Sequence, residues 1–188
     1  MTHPRKTNAA FIGLGANLGD RLANLQAALR ALASHGDVVA ISSVYETAPV
    51  GLEDQPAFFN AALQLATPLT PQVLLRELLA IERSCGRDRS QAPSQGPRTL
   101  DLDLLLYEDQ ILATPDLTLP HPALHLRRFV LAPLAEIAPN MRYPGLYHPA
   151  SNLTMRELLD ALPDVGANRR SAVHRIGPLG WESSAPIE

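Results

Sequence analysis

Residues 96–107 read Gly96-Pro97-Arg98-Thr99-Leu100-Asp101-Leu102-Asp103-Leu104-Leu105-Leu106-Tyr107. A Gly-Pro turn followed by alternation predicts a β-strand with Leu100, Leu102, Leu104 and Leu106 on one face and Thr99, Asp101 and Asp103 on the other. At about 3.3 Å of rise per residue the two carboxylates lie roughly 6.6 Å apart. Their repulsion at an effective dielectric near 20 is about 2.5 kcal/mol, which a purely structural strand has no reason to tolerate. Two divalent cations about 3.5–4 Å apart, bridging substrate phosphates, make such a pair favourable. Metal-dependent phosphate chemistry is the first expectation, with Asp101 and Asp103 as the metal ligands.

Outward from this strand, the order of elements suggests the fold. Residues 8–15 read as a buried first strand. A turn through Gly15 and Gly19 enters a helix with the stripe Leu22, Leu25, Leu29 and Leu32. A second strand spans 38–45, a proline- and glycine-bearing loop 48–57, and a third strand 58–65. Thr70-Pro71 starts a second helix that turns Leu74, Leu78, Ile81 and Cys85 inward and ends at Gly86. Residues 87–98 are polar with Pro93, Gly96 and Pro97, the composition of an exposed, mobile loop, and the double-Asp strand follows. This order, βαββαβ, predicts an α+β fold with a ferredoxin-like core. Helices at 129–137 and 154–162 follow, the second opened by the capping box Thr154-Met155-Arg156-Glu157. The expected organisation is one domain over 1–188, with its core at about 8–163 and a loose tail at 165–188.

Composition narrows the chemistry. Net charge is −3 and no basic field calls for nucleic acid or a membrane surface. One cysteine excludes an internal disulfide and a thiolate zinc cluster. No apolar run approaches membrane-spanning length, and the N-terminus lacks a signal-peptide core, so a cytoplasmic protein is expected; a monomer is a separate expectation. Lys6 is the only lysine and precedes the first strand. P-loop and protein-kinase mechanisms need an internal lysine on the phosphates, so arginine must take that task here.

Arg87, Arg89 and Arg98 flank the 87–98 loop, which suggests a lid that brings cations onto a polyphosphate. Taken one at a time, each reads as an ordinary surface arginine. Glu82, near the end of the second helix, is either solvated or a nucleotide contact. Gly13, Gly15 and Gly19 lack dinucleotide-binding spacing, and strand-end packing explains them more cheaply. His121 in Leu-Pro-His-Pro, Arg127, Phe129, Phe58 and Asn60 are each ambiguous alone.

Together these segments resemble the 6-hydroxymethyl-7,8-dihydropterin pyrophosphokinase family. Four blocks carry the resemblance: 13–20; 45–51 with 54–60; 96–103; and 119–122 running to 127–131 and 136–139. The resemblance implies transfer of a pyrophosphoryl group from ATP to the pterin's hydroxymethyl oxygen, releasing AMP, with Asp101 and Asp103 holding two Mg2+ ions. It implies ATP contacts at Arg87, Arg89, Arg98, His121 and Arg127, with Arg87 and Arg98 also catalytic and Glu82 and Leu104 near adenine and ribose. It places Thr47, Val50, Asn60 and Phe129 in the pterin pocket, where Phe129 stacks on the ring, with Phe58 on the opposite face. Gln95 stands where many members carry a tryptophan, Pro122 replaces an aromatic found in some, and the only tryptophan, Trp181, lies in the tail. Two rivals remain to be separated by experiment. A nucleotidyltransferase also uses an acidic pair but releases pyrophosphate. A ferredoxin-like RNA-binding module needs exposed aromatics and a basic face, against which 5% aromatic content and the net charge argue.

Overall fold

The computed structural model describes residues 7–49, 54–86, 96–145, 148, 150–163 and 173–180. The chain forms β1 (Asn8–Ala16), α1 (Arg21–Leu32), β2 (Asp37–Ile41), β3 (Ser43–Thr47), β4 (Phe58–Thr67), α2 (Pro71–Ser84) and β5 (Asp101–Tyr107). The short pair β6 (Leu112–Ala113) and β7 (Thr118–Leu119), a 3-10 turn at Leu124–Leu126, α3 (Arg128–Ile137), α4 (Met155–Ala161) and β8 (Val173–Pro178) follow. The main sheet runs β5-β1-β4-β3-β8, with β2 also on β4, and every pairing is antiparallel. The expected second strand is thus two strands broken at Ser42, whose hydroxyl accepts from the Ala62 N–H at 2.8 Å.

Local chemistry sets the helix ends. Asp20 caps α1 by accepting from the Ala23 N–H at 3.0 Å. Thr70 precedes α2 with Pro71 in the first turn, but its hydroxyl makes no capping bond, so proline's fixed φ starts this helix without a side-chain cap. The capping box of α4 is complete: the Glu157 N–H donates to Thr154 Oγ1 at 3.2 Å, and the Thr154 N–H donates to Glu157 Oε2 at 2.8 Å.

Two apolar layers hold the sheet. On one face Leu25, Leu29 and Leu32 of α1 and Leu74, Leu78 and Ile81 of α2 pack on Ile12, Leu14, Leu63, Leu65, Leu102 and Leu104. On the other, Leu131, Leu134 and Ala135 of α3 and Met155 and Leu158 of α4 pack on Phe11, Ala62, Leu105 and Leu106. Three expectations are corrected. Leu22, assigned to the apolar stripe, is 39% exposed, because the buried stripe runs through Ala28 instead. Leu106 joins Leu105 on the second face rather than Leu104 on the first. Ile12 pairs with Leu104 and Phe11 with Leu106, so Leu105 is the extra residue of a β-bulge that reverses the alternation beyond it. Finally, 173–178, placed in the loose tail, is the edge strand β8 on β3. Glu136 of α3 accepts from the Ser43 N–H and hydroxyl and from the Tyr45 hydroxyl at 2.7–3.2 Å, and Arg175 of β8 donates to Ser43 Oγ at 2.9 Å. No helix among the described residues is long and apolar enough to cross a membrane.

Candidate active site

The layer of α3 and α4 covers only part of its face of the sheet. Where it stops, a cleft of about 270 Å³ opens over the ends of β1, β4 and β5. Its floor follows from strand register. Gly15 pairs with Asn60 on one side and Asp101 on the other; Gly13 lies between Ala62 and Asp103. A Cβ at Gly15 would stand 3.4 Å from Asn60 Oδ1 and 3.7 Å from the Asp101 Cβ, so the missing side chain leaves a flat bed between amide and carboxylate. Thr47, Ala48 and Phe58 line one end, and His121, Arg127, Phe129 and Val130, from the segment that enters α3, complete the lining.

The two ends differ chemically. At the β4 end Asn60, 7% exposed, donates through Nδ2 to Thr47 Oγ1 at 2.8 Å. That bond fixes the amide and leaves Oδ1 beside Gly15, the orientation of an acceptor for a planar ring edge. At the β5 end, Arg98 Nη2 lies 2.7 Å from Asp101 Oδ2, while its Cζ sits 5.2 Å from the centre of the Phe58 ring. Among the described residues the buried Arg98 Nε has no hydrogen-bond partner. Burial first, then the charge of Asp101, raises the Asp103 carboxyl to about 6, against the lowering effect of Arg98 and Arg127. Desolvation is the larger of these two raising effects.

His121 is held toward its neutral form by burial and then by Arg127, against the opposing pull of Asp101. Its Nδ1 accepts from the Ala123 N–H at 3.3 Å, which puts the proton on Nε2 and makes that atom a donor. Arg127 Cζ lies 5.7 Å from the centre of the Phe129 ring.

Of the residues singled out from sequence, Thr47, Phe58, Asn60, Arg98, Asp101, Asp103, His121, Arg127 and Phe129 all line this one cleft. Glu82 and Leu104 do not. Glu82, 1% exposed on α2, accepts from the Leu102 N–H at 2.8 Å, and Leu104 is packed in the core between the sheet and the α1–α2 layer. Val50, Arg87, Arg89, Gln95 and Trp181 lie outside the described residues. Sequence reasoning missed the floor: Gly13 and Gly15, read there as strand-end packing, line the cleft from within β1. The available signal was two glycines at strand spacing, which mark close approach to a sheet face. Leu105 shares the face of Asp101 and Asp103 by plain alternation, and its place in the cleft lining was missed because the reading stopped at the two carboxylates.

The family model described as 7,8-dihydro-6-hydroxymethylpterin-pyrophosphokinase (HPPK) matches residues 11–139, a span that contains the cleft-lining segments. The chain belongs to the HPPK family. Among curated relatives, 2-amino-4-hydroxy-6-hydroxymethyldihydropteridine pyrophosphokinase of Bacillus subtilis is 47% identical over 132 residues, covering 69% of this chain and 78% of that one. The protein of the same name from Pseudomonas aeruginosa is 42% identical over 161 residues, covering 85% and 94%. The chain also aligns with a fifth of the folic acid synthesis protein fol1 of Schizosaccharomyces pombe, 37% identical over 163 residues that make up 86% of this chain and 21% of that one. Among solved structures, wild-type Plasmodium falciparum HPPK-DHPS with pteroate superposes with a TM-score of 0.61 at 16% identity, over 85% of this chain and 43% of that one. This HPPK chain thus spans less than half of that larger chain, and at such identity the likeness concerns the fold alone.

Proposed function

We propose that this protein transfers a pyrophosphoryl group from ATP to the hydroxymethyl oxygen of 6-hydroxymethyl-7,8-dihydropterin, giving the pterin diphosphate and AMP in folate biosynthesis. One observation carries the reading. A single cleft joins a flat, glycine-floored slot with an amide and two phenylalanines to an acidic pair and two arginines. The first half suits a planar heterocycle, the second a polyphosphate. Family membership supports the same reaction.

In this reading Phe58 and Phe129 stack on the pterin ring, Asn60 hydrogen-bonds its edge, and Thr47 holds the Asn60 amide in register. Arg98, Arg127 and the His121 Nε2–H meet ATP phosphates, where fixed donors stabilise charge that develops during transfer. Holding the hydroxymethyl oxygen in line with the β-phosphorus converts an encounter into an intramolecular step. Arg87, Arg89 and Val50 enter the proposal from the family resemblance; Glu82 and Leu104, buried away from the cleft, act in it only as support for the strand that carries the acidic pair.

The donor set at Asp101 and Asp103 fits Mg2+: hard carboxylate oxygens of two side chains that both line the phosphate end of the cleft. Two ions are proposed there, and when bound they would supply charge neutralisation on the phosphates and a lowered pKa for the attacking hydroxyl. The strand order β5-β1-β4, with β2 and β3 beyond β4, supports a ferredoxin-like core to which β8 and the α3–α4 layer are added.

The test is incubation with ATP, Mg2+ and the hydroxymethyl-dihydropterin. AMP and the pterin diphosphate are expected; release of pyrophosphate would favour the nucleotidyltransferase. Asp101→Ala and Asp103→Ala should each abolish turnover with circular dichroism unchanged, and near-parental activity in either would remove the pair from the mechanism.

A further inference from the structure

Asn17 follows the last residue of β1, two positions beyond Gly15, and its side chain is 2% exposed. It does not line the cleft, yet it binds both loops that flank it. Its N–H donates to the Arg98 carbonyl at 3.0 Å, and its Oδ1 accepts from the Arg98 N–H at 2.7 Å. Its Nδ2 donates to Gln55 Oε1 at 2.9 Å and to the Pro56 carbonyl at 3.2 Å. This is a task for an amide: one end must accept while the other donates twice. The first loop ends in Arg98, whose guanidinium meets Asp101. The second leads directly into Phe58. One buried side chain therefore sets the position of the phosphate-side arginine relative to the ring-side phenylalanine.

We propose that Asn17 is a positioning residue that couples the two substrate subsites. A ring bound against Phe58 restrains Gln55 and Pro56; through the Asn17 amide the same restraint reaches the Arg98 peptide, and ATP phosphates held by Arg98 act back along the same bonds. By linkage each substrate then tightens the other by one common factor. This inference rests on the pyrophosphokinase reading, because it takes Arg98 as a phosphate contact and Phe58 as a ring contact.

The test uses the full chain with Mg2+. The pterin Kd is measured by calorimetry with and without α,β-methylene-ATP, whose bridging carbon blocks transfer, and kcat is measured with ATP. The wild type should bind the pterin at least about fivefold more tightly when the analogue is present. Asn17→Ala should bring that factor close to one and lower kcat by about a hundredfold, the scale of an ångström-sized misplacement. Asn17→Asp keeps the acceptor for the Arg98 N–H and removes both donors, so it should also lose the coupling. It decides the matter should the alanine variant fail to fold. Parental coupling and kcat in a folded variant would overturn the inference while leaving the function intact, and so would a wild type that turns over without coupling. A wild type that forms no pterin diphosphate would instead overturn the pyrophosphokinase reading on which the inference stands.

Discussion

Gly15→Ala separates the stability of this fold from its activity. Gly15 lies inside β1 with no left-handed backbone to preserve, and an added Cβ meets Asn60 Oδ1 at 3.4 Å and the Asp101 Cβ at 3.7 Å, ordinary contact distances. The fold therefore accepts the methyl group. Removing a glycine from a strand interior favours folding by roughly 0.5–1 kcal/mol. For a chain of this length that raises Tm by about 1–4 °C. The same methyl stands on the floor of the slot, between the amide and the carboxylate, where the proposed ring lies flat. Forcing a ligand off a filled surface is overpacking, which costs about 1–3 kcal/mol, or about 5- to 150-fold in kcat/KM for the pterin. The assay pairs thermal denaturation with steady-state kinetics in which each substrate is varied in turn. An unchanged pterin kcat/KM in a folded Gly15→Ala protein would refute the argument that the glycine floor is the ring-binding surface.

Other predictions follow from the same geometry. Thr47→Val keeps the shape but leaves the buried Asn60 Nδ2 without its acceptor, a loss of about 1–3 kcal/mol; the KM for the pterin should rise about tenfold while that for ATP stays within twofold. Leu29→Ala, at a fully buried position, should cost about 2–5 kcal/mol in urea unfolding, whereas Leu22→Ala on the same helix should stay within about 0.5 kcal/mol; equal losses would contradict the placement of Leu22 at the surface. Glu136→Gln tests the joint between α3, β3 and β8. Burial pushes the Glu136 carboxyl upward, but hydrogen bonds from Tyr45 and Ser43 and the charge of Arg175 outweigh it, so the folded carboxyl titrates below its ordinary value. Its contribution is present above the unfolded pKa and lost as pH falls through the folded one. The variant should be about 2 kcal/mol less stable than wild type near pH 7, and the gap should narrow toward about pH 4; a gap independent of pH would rule out the carboxylate as the source.

Much of the architecture is written locally. The helix starts at Asp20, Pro71 and Thr154, the strand alternation through Leu100–Leu104 and the acidic pair depend on neighbours a few residues away, so a linear reading finds them. The errors share a cause of the opposite kind. Leu22 has helical spacing but faces solvent, because the direction of the α1 stripe is set by the sheet it packs on. The bulge at Leu105 appears only when β5 is registered against β1, and it decides that Leu106 packs on the α3–α4 side and not with Leu104. β8 has little pattern of its own; pairing with β3 and the contacts of Arg175 with Ser43 and Glu136 make it a strand.

The candidate site divides the same way. The sequence alone determined its chemistry: two carboxylates at strand spacing, arginine in place of lysine, and a set of amide and aromatic residues whose blocks match one family. Only the tertiary structure decided that Asn60, Gly15 and Asp101 form one row across three strands, that α3 stops short of covering it, and that Asn17 ties Arg98 to the loop before Phe58. Those neighbours are 38–81 residues apart in the chain for the Asn17 bonds. Local propensity carries no information over such separations, because long-range register is settled by burying both faces of the sheet together.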